Sequence, residues 1–251
     1  IFKTIANVIA LTIENARLHK QIETQLKTIA AKTAHRINNQ VTSYDGIELD
    51  LLDEVEAEIP NKDNLLNLSK KLRETNINIK NTIEDFRKYG KPIVLDKKIN
   101  NINTVICDEL RLAKHPDNIK IKQYLAENIP PFKFDAGRLA ESIKEMLRNA
   151  LRVMTKQEKG NQITISTKLK IDSLSSSEKF VLITIEDNGP GFPPNFLAFS
   201  PYQTTDPKRT GLGLATIKET IEAHGGTIEL KPGKDKGTCF EIQIPIGGGN
   251  L

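Results

Sequence analysis

Tryptophan is absent from the 251 residues, cysteine occurs twice, and aromatic residues make up 5% of the chain. So few aromatics favour helix-rich packing around aliphatic cores. Two cysteines, Cys107 and Cys239, cannot build a disulfide framework, and both sit among apolar neighbours. A reducing compartment is therefore expected. No apolar run is long enough for a membrane-spanning helix, which needs about 18 residues or more. The N-terminus has none of the pattern of a secretory signal. Charge of one sign is also lacking: 36 basic against 32 acidic residues leave a net +4. That excess is too small for the clustered basic face of a nucleic-acid binder. With 38% hydrophobic and 27% charged residues the composition is that of a soluble globular chain, and the length predicts one or two domains.

Glycine and proline are missing chiefly from the first part. Residues 1–90 hold Gly46, Gly90 and Pro60, while the remainder holds 13 Gly and 11 Pro. The first part has 13 basic and 13 acidic residues, so the second carries the whole net charge. Few breakers and balanced charge predict long solvent-washed helices. Apolar residues recur at Ile5, Val8, Leu11, Leu18, Ile22 and Ile29, then at Ile37, Val41, Tyr44, Leu51, Val55 and Ile59. This is one helix to Pro60, whose predecessor avoids the helical region. It would be about 89 Å long. A second helix follows Asn61-Lys62-Asp63, with Leu65, Leu68, Leu72, Thr75, Ile79, Thr82, Phe86 and Tyr89 on one stripe, and stops at Tyr89-Gly90-Lys91-Pro92. Two antiparallel helices cannot bury such a seam between themselves. A second copy completing a four-helix bundle predicts a homodimer.

Beyond Pro92 the pattern alternates. Strands are predicted at Ile93–Leu95, Ile119–Leu125, Phe132–Phe134, Gln162–Leu169, Phe180–Glu186, Thr227–Leu230 and Thr238–Pro245. Helices are predicted at Asn101–Lys114, Ala136–Lys156 and Leu212–His224. A serine-rich hairpin, Ser173 to Ser177, joins two of the strands, and Gly247-Gly248-Gly249 reads as a flexible tail. The fold class is α plus α+β: a long-helix hairpin, then an α/β sandwich with helices on one face of a mixed sheet.

Three segments of the second part can carry chemistry. In Glu145-Met146-Leu147-Arg148-Asn149-Ala150-Leu151-Arg152, residues Glu145, Asn149 and Arg152 share one helix face. Asn149 can lend Mg²⁺ one oxygen while phosphates and water complete the shell, and Arg152 can pair with phosphate. A plain solvated face accounts for this segment equally well. Asp187-Asn188-Gly189-Pro190-Gly191 follows a strand. Its acid can accept a hydrogen bond from an exocyclic amine such as adenine N6, and Gly189 and Gly191 permit a tight turn; an ordinary strand-to-loop turn is the alternative. Thr210-Gly211-Leu212-Gly213-Leu214-Ala215-Thr216 opens a helix whose backbone N–H groups can hold phosphate; a plain loop before a helix accounts for it equally well.

In this order, together with Phe199–Thr205 and Lys236-Gly237-Thr238-Cys239-Phe240, the segments resemble the N, G1, F and G2 boxes of the GHKL ATPase superfamily. Gly211–Gly226 is most similar to its sensor histidine kinases. The resemblance covers roughly residues 92–246 and implies a Bergerat-type pocket for ATP and Mg²⁺. It implies that Asp187 reads adenine with Thr238 helping through water, and that Asn149 holds Mg²⁺. Arg152 meets phosphate, and Gly211, Leu212, Gly213 and Leu214 shape the phosphate loop. Tyr202–Thr210, with Thr204 and Thr205, forms a short lid. Glu145 replaces an Asn common at its position; it acts as a general base or completes the Mg²⁺ shell.

Of the four His, His19, His115 and His224 read as surface or helix-end residues. His35, in Ala34-His35-Arg36-Ile37-Asn38-Asn39-Gln40, lies on the long helix upstream of the ATP domain. That layout resembles the dimerisation and phosphotransfer domain of sensor histidine kinases over about residues 24–90. It implies phosphorylation of His35 from ATP. The box departs from the family pattern: Arg36 stands where an acid orients the imidazole, and Gln40 replaces a Pro. Asn39 matches a position used to orient water in dephosphorylation. Residues 1–23 resemble a signalling helix, the end of a GAF-like sensor domain that would precede Ile1. Residues 45–58 carry seven acids and no Lys or Arg, which reads as a solvated face. The implied layout is a signalling helix (1–23), a phosphotransfer domain (24–90), an ATP-binding domain (91–246) and a tail (247–251). The implied function is a cytoplasmic two-component kinase that passes the phosphoryl group to an aspartate of a response-regulator receiver domain. An ATP-binding scaffold, favoured by Arg36, and a hydroxyl-directed protein kinase, favoured by Glu145 and Asn149, are the alternatives.

Overall fold

The computed structural model describes residues 2–57, 59–89, 93–171, 179–206, 209–233 and 237–247. The predicted serine-rich hairpin, the stop at Gly90-Lys91-Pro92, Lys236 and the end of the glycine tail lie outside them. So do most side chains before Lys27, that of His19 included. The chain forms two compact units. One is residues 1–90 with Thr204–Thr210; the other is residues 91–203 with 211–251.

The first unit is built on helices α1 (Phe2–Glu56) and α2 (Lys62–Tyr89). Helix α1 runs unbroken past residue 24 and ends at Glu56, a few residues before the predicted stop at Pro60. The turn explains the earlier end. Asn61 Oδ1 accepts the N–H groups of Asp63 at 2.9 Å and Asn64 at 3.2 Å, capping α2. Glu54 Oε1 accepts the N–H of Asn61 at 2.7 Å, tying the end of α1 to that cap. Among the described residues of the two helices, only Ile29, Thr33, Leu68 and Thr82 are buried. Leu65, Leu72 and Ile79 are half-buried, and Val41, Leu49, Leu52, Ile77, Ile83 and Phe86 are exposed.

The second unit has its own core. Its elements are β1 (Lys98–Asn100), α3 (Ile102–Leu112), β2 (Lys120–Leu125), β3 (Phe132–Phe134), α4 (Ala136–Gln157), β4 (Gln162–Ile171), β5 (Lys179–Asp187), α5 (Gly213–Ala223), β6 (Thr227–Pro232) and β7 (Thr238–Ile246). The main sheet has the order β2-β4-β5-β7-β6. The β2–β4 pair is parallel and the other pairs are antiparallel, so the sheet is mixed. Alternate residues of each strand face inward: Ile163 and Ile165, Val181, Ile183 and Ile185, Phe240, Ile242 and Ile244 are buried. Onto them pack Ile106 of α3, Leu139, Ile143, Met146 and Leu147 of α4, and Ile217 and Ile221 of α5, in one continuous cluster.

Ile93–Leu95, predicted as a strand, is not one. Val94 is 81% exposed, and the segment that finds a partner is Lys98–Asn100, antiparallel to β3. A β-branched run favours a strand only where a neighbour can receive it. Asn101 caps α3, accepting from Asn103 N–H at 2.9 Å and Thr104 N–H at 3.4 Å. Asp135 caps α4 through Arg138 N–H at 3.0 Å.

Candidate functional site: a nucleotide pocket and a histidine box

Asp187 is the last residue of β5 and keeps that strand's inward phase, so its carboxylate emerges on the apolar side of the sheet, 9% exposed. Two backbone donors meet it there. Gly189 N–H lies 2.8 Å and Thr238 N–H 3.3 Å from Oδ1. Burial pushes its carboxyl above the usual range, and the bonds from Gly189 and Thr238 hold the rise back. Thr238 reaches the carboxylate with its side chain as well as its backbone, and the remaining lone pairs of an acceptor-only carboxylate suit an exocyclic amine. Thr238 bonds the carboxylate itself. The approach of β7 to this turn needs Gly237, because a Cβ there would lie 1.8 Å from the Asp187 carbonyl oxygen. Asn188, to which the sequence reading gave no role, accepts the N–H groups of Asn161 and Gln162, both at 2.8 Å. It fastens the turn to the start of β4.

Helix α4 runs past this turn. A Cβ on Gly189 would sit 3.1 Å from Met154 Cγ, and one on Gly213 would sit 3.0 Å from Glu145 Oε1. Met154 and Glu145 thus mark two ends of a site spread over about 13 Å of helix axis, the order of an extended nucleoside triphosphate. At the Glu145 end, α5 begins with no side chain capping its first N–H groups, which leaves them to an anion. Glu145 is paired with Arg148, and Arg152 donates to Asn149 Oδ1 at 3.3 Å. Glu145, Asn149, Arg152, Asp187, Gly189, Gly191, Gly211, Gly213 and Thr238 therefore share the second unit. Leu212 is buried and Leu214 packs against the core, so only their backbones can serve a ligand.

For Mg²⁺ the fit is that of a nucleotide-borne ion. Asn149 and Glu145 offer an amide oxygen and a carboxylate. Among the described residues no cluster of three or more His, Cys, Asp or Glu could hold a metal alone. Mg²⁺ keeps most of its shell for water and phosphate, which matches so small a donor set.

The loop between the F and G2 segments is closed at its neck. Tyr202 N–H donates to the Gly211 carbonyl at 3.0 Å, and Gly211 has φ +71°. A Cβ there would come within 2.7 Å of the Tyr202 carbonyl carbon. Beyond the neck, Thr204–Thr210 belongs to the helical unit. Thr204 and Thr205 are thus not grouped with the other nucleotide residues. The Thr204 hydroxyl is engaged locally, accepting from Asp206 N–H and donating to its carbonyl, both at 3.0 Å.

On α1, His35 is exposed, and the Asn39 amide nitrogen lies 3.4 Å from its Nε2. Nε2 accepts from that amide only in the tautomer that carries its proton on Nδ1. Arg36 is half-buried. Burial draws its guanidinium below the usual value, and the carboxylates of Asp206 and Asp85 pull it back up.

Residues 134–248 match the family described as histidine kinase-, DNA gyrase B-, and HSP90-like ATPase. Over 87% of the chain, it is 29% identical to sensor histidine kinase ZraS of Salmonella typhimurium, covering 45% of that protein. It is 28% identical to sporulation kinase E of Bacillus subtilis over the same share, covering 28% of that protein. The chain thus spans less than half of these relatives. Histidine kinase ThkA, solved in complex with response regulator protein TrrA, matches 94% of this chain and 66% of its own with a TM-score of 0.66 at 22% identity. The histidine kinase AdeS of Acinetobacter baumannii matches 85% and 98% with a TM-score of 0.58 at 20% identity. The fold is that of these structures, and the match over residues 134–248 is to a family that groups histidine kinases with DNA gyrase B- and HSP90-like ATPases.

Proposed function

We propose that the chain is the kinase core of a two-component sensor, which phosphorylates its own His35 from ATP and passes the group to an aspartate of a receiver domain. The observation that carries this is the pairing of an exposed His35, its Nε2 faced by the Asn39 amide, with an ATPase domain in the same chain. Asp187 orients the adenine by accepting from its exocyclic amine. The open N–H groups at the start of α5 and Arg152 take the phosphates. Mg²⁺, when bound, neutralises phosphate charge beside Asn149 and Glu145. The Nε2 lone pair attacks the γ-phosphorus, the bond to the β–γ bridging oxygen breaks, and ADP leaves. The Nδ1 proton goes to solvent. A bond from the Asn39 amide would occupy the Nε2 lone pair, so Asn39 has to turn away from Nε2 before the attack.

The half-buried seam of α1 and α2 supports dimerisation through a four-helix bundle, which gives Leu65, Leu72 and Ile79 the cover one hairpin cannot. No described helix is long and apolar enough to cross a membrane; the cytoplasmic location belongs to the proposal, because ATP and a receiver protein are its substrates.

Incubation with γ-labelled ATP tests the reading. Acid-labile, base-stable label on this chain is the expected outcome. Label only on added protein, stable to acid, would make it a hydroxyl kinase; ATP binding without label would make it a scaffold.

A further inference from the structure

The kinase reading leaves one cluster unused. Thr210, 5% exposed, donates its hydroxyl to Asp85 Oδ2 at 2.6 Å. The two residues are 125 positions apart and belong to the same compact unit. Asp85 lies on α2, one turn after the buried Thr82. Asp85 and Asp206 both act on the guanidinium of Arg36, on α1. Arg36 immediately follows His35, and Asp206 sits in a turn closed by Thr204 and by Arg209 N–H to its carbonyl at 2.9 Å. Two helices and the loop segment therefore converge on two carboxylates, one guanidinium and one buried hydroxyl. A short bond from a buried hydroxyl to an ionised carboxylate is charge-assisted, and strongest where water is excluded.

We propose that Asp85 and Thr210, with Arg36 as counter-charge, form a clasp that holds Thr204–Thr210 beside the His35 turn and positions it for phosphoryl transfer. The inference rests on the kinase reading for its purpose and on the hydrogen bond for its existence. It gives Arg36 a role other than meeting the phosphoryl group. A basic residue after His35 balances the charge of the two acids that act on it. It also gives Thr210, directly before the phosphate loop, a job that requires a hydroxyl rather than mere bulk. These are positioning residues: none of them touches a reacting atom.

The test compares Thr210→Val, Thr210→Ser, Asp85→Ala and the wild type in the full chain. Thr210→Val keeps shape and removes the donor. Two rates are read: trypsin cleavage after Arg209, and self-phosphorylation as a function of ATP. Releasing the segment should speed cleavage about fivefold, since local opening sets access to the protease. It should lower kcat about tenfold while KM for ATP stays within about twofold, the pattern of a lost positioning contact. Thr210→Ser should restore both rates. Cleavage unchanged in Thr210→Val and Asp85→Ala would overturn the clasp. So would faster cleavage with an unchanged or raised kcat, because the contact would then not position the segment for transfer. If the wild type forms no phosphohistidine, the kinase reading has failed, and the cleavage rates still decide whether the clasp exists.

Discussion

The two units solve the problem of burial in opposite ways. The second wraps α3, α4 and α5 against one face of a mixed sheet and buries a continuous set of Ile, Leu, Met and Phe side chains. The first has, among its described helical residues, two apolar and two threonine side chains buried along a hairpin of 55 and 28 residues. A unit that closes its own core can hold a ligand site to within a hydrogen bond, as at Asp187. A unit that leaves its seam half covered is open to a partner, and a histidine on its surface is accessible to one. In the proposed function the hairpin supplies the nucleophile and the dimer interface, and the sandwich supplies the nucleotide site.

The largest effect falls on the hairpin's chemistry. His35→Gln keeps polarity but has no nucleophilic ring nitrogen. Self-phosphorylation should be abolished while ATP affinity by calorimetry is unchanged, because the pocket lies in the other unit. Wild-type levels of phosphohistidine in His35→Gln would move the acceptor to His19, His115 or His224. Next comes the seam. Replacing the half-buried Leu65 and Leu72 together with Glu would put unpaired carboxylates in the seam of the proposed four-helix bundle, at a cost of several kcal/mol. The chain should sediment as a monomer and still bind ATP. A dimer surviving the double change would place the contact elsewhere.

The third effect sits in the sandwich. Asp187→Asn keeps the shape but can present a donor where an acceptor is needed. Losing a charge-assisted bond of about 1.5–3 kcal/mol should weaken ATP binding roughly ten- to a hundredfold, with little change in the hairpin. Unaltered affinity by calorimetry would remove Asp187 from the adenine site.

The sequence was legible in proportion to how local each signal was. Helices α4 and α5 and strands β3 to β7 follow their apolar periods because each packs on its own sheet. Helical spacing puts Glu145 and Asn149 on one face of α4, whereas Asp187 and Gly213, on other elements, stand out only through the resemblance of their segments to the GHKL boxes. What could not be read depended on distant partners. Ile93–Leu95 has strand composition but no neighbour, while Lys98–Asn100 has neither strong propensity nor length and is a strand because β3 receives it. Asp85 looked like any helix-surface acid until Thr210 met it.

His224 was the least legible, and it supports the smallest prediction. At the end of α5 it reads as a cation facing a helix dipole. The structure instead buries it, with Nδ1 2.8 Å from the Thr220 carbonyl and Nε2 3.1 Å from Asp135 N–H. A backbone N–H can only donate, so Nε2 accepts, Nδ1 donates, and the ring is neutral. Burial draws its pKa below 6.5; Lys97 adds to the fall, and the Thr220 bond and Asp135 oppose it. A histidine whose folded pKa is depressed takes up a proton more readily when unfolded. Its contribution to stability is full above the unfolded value and is lost as pH falls through it. The ring joins the end of α5 to the cap of α4, so the loss should be felt in the sandwich. Between about pH 7.5 and about pH 5.5 the urea midpoint of the sandwich should fall, and His224→Gln, which cannot titrate, should flatten that fall. Equal pH slopes in the two proteins would show that the ring does not set the acid sensitivity of this unit.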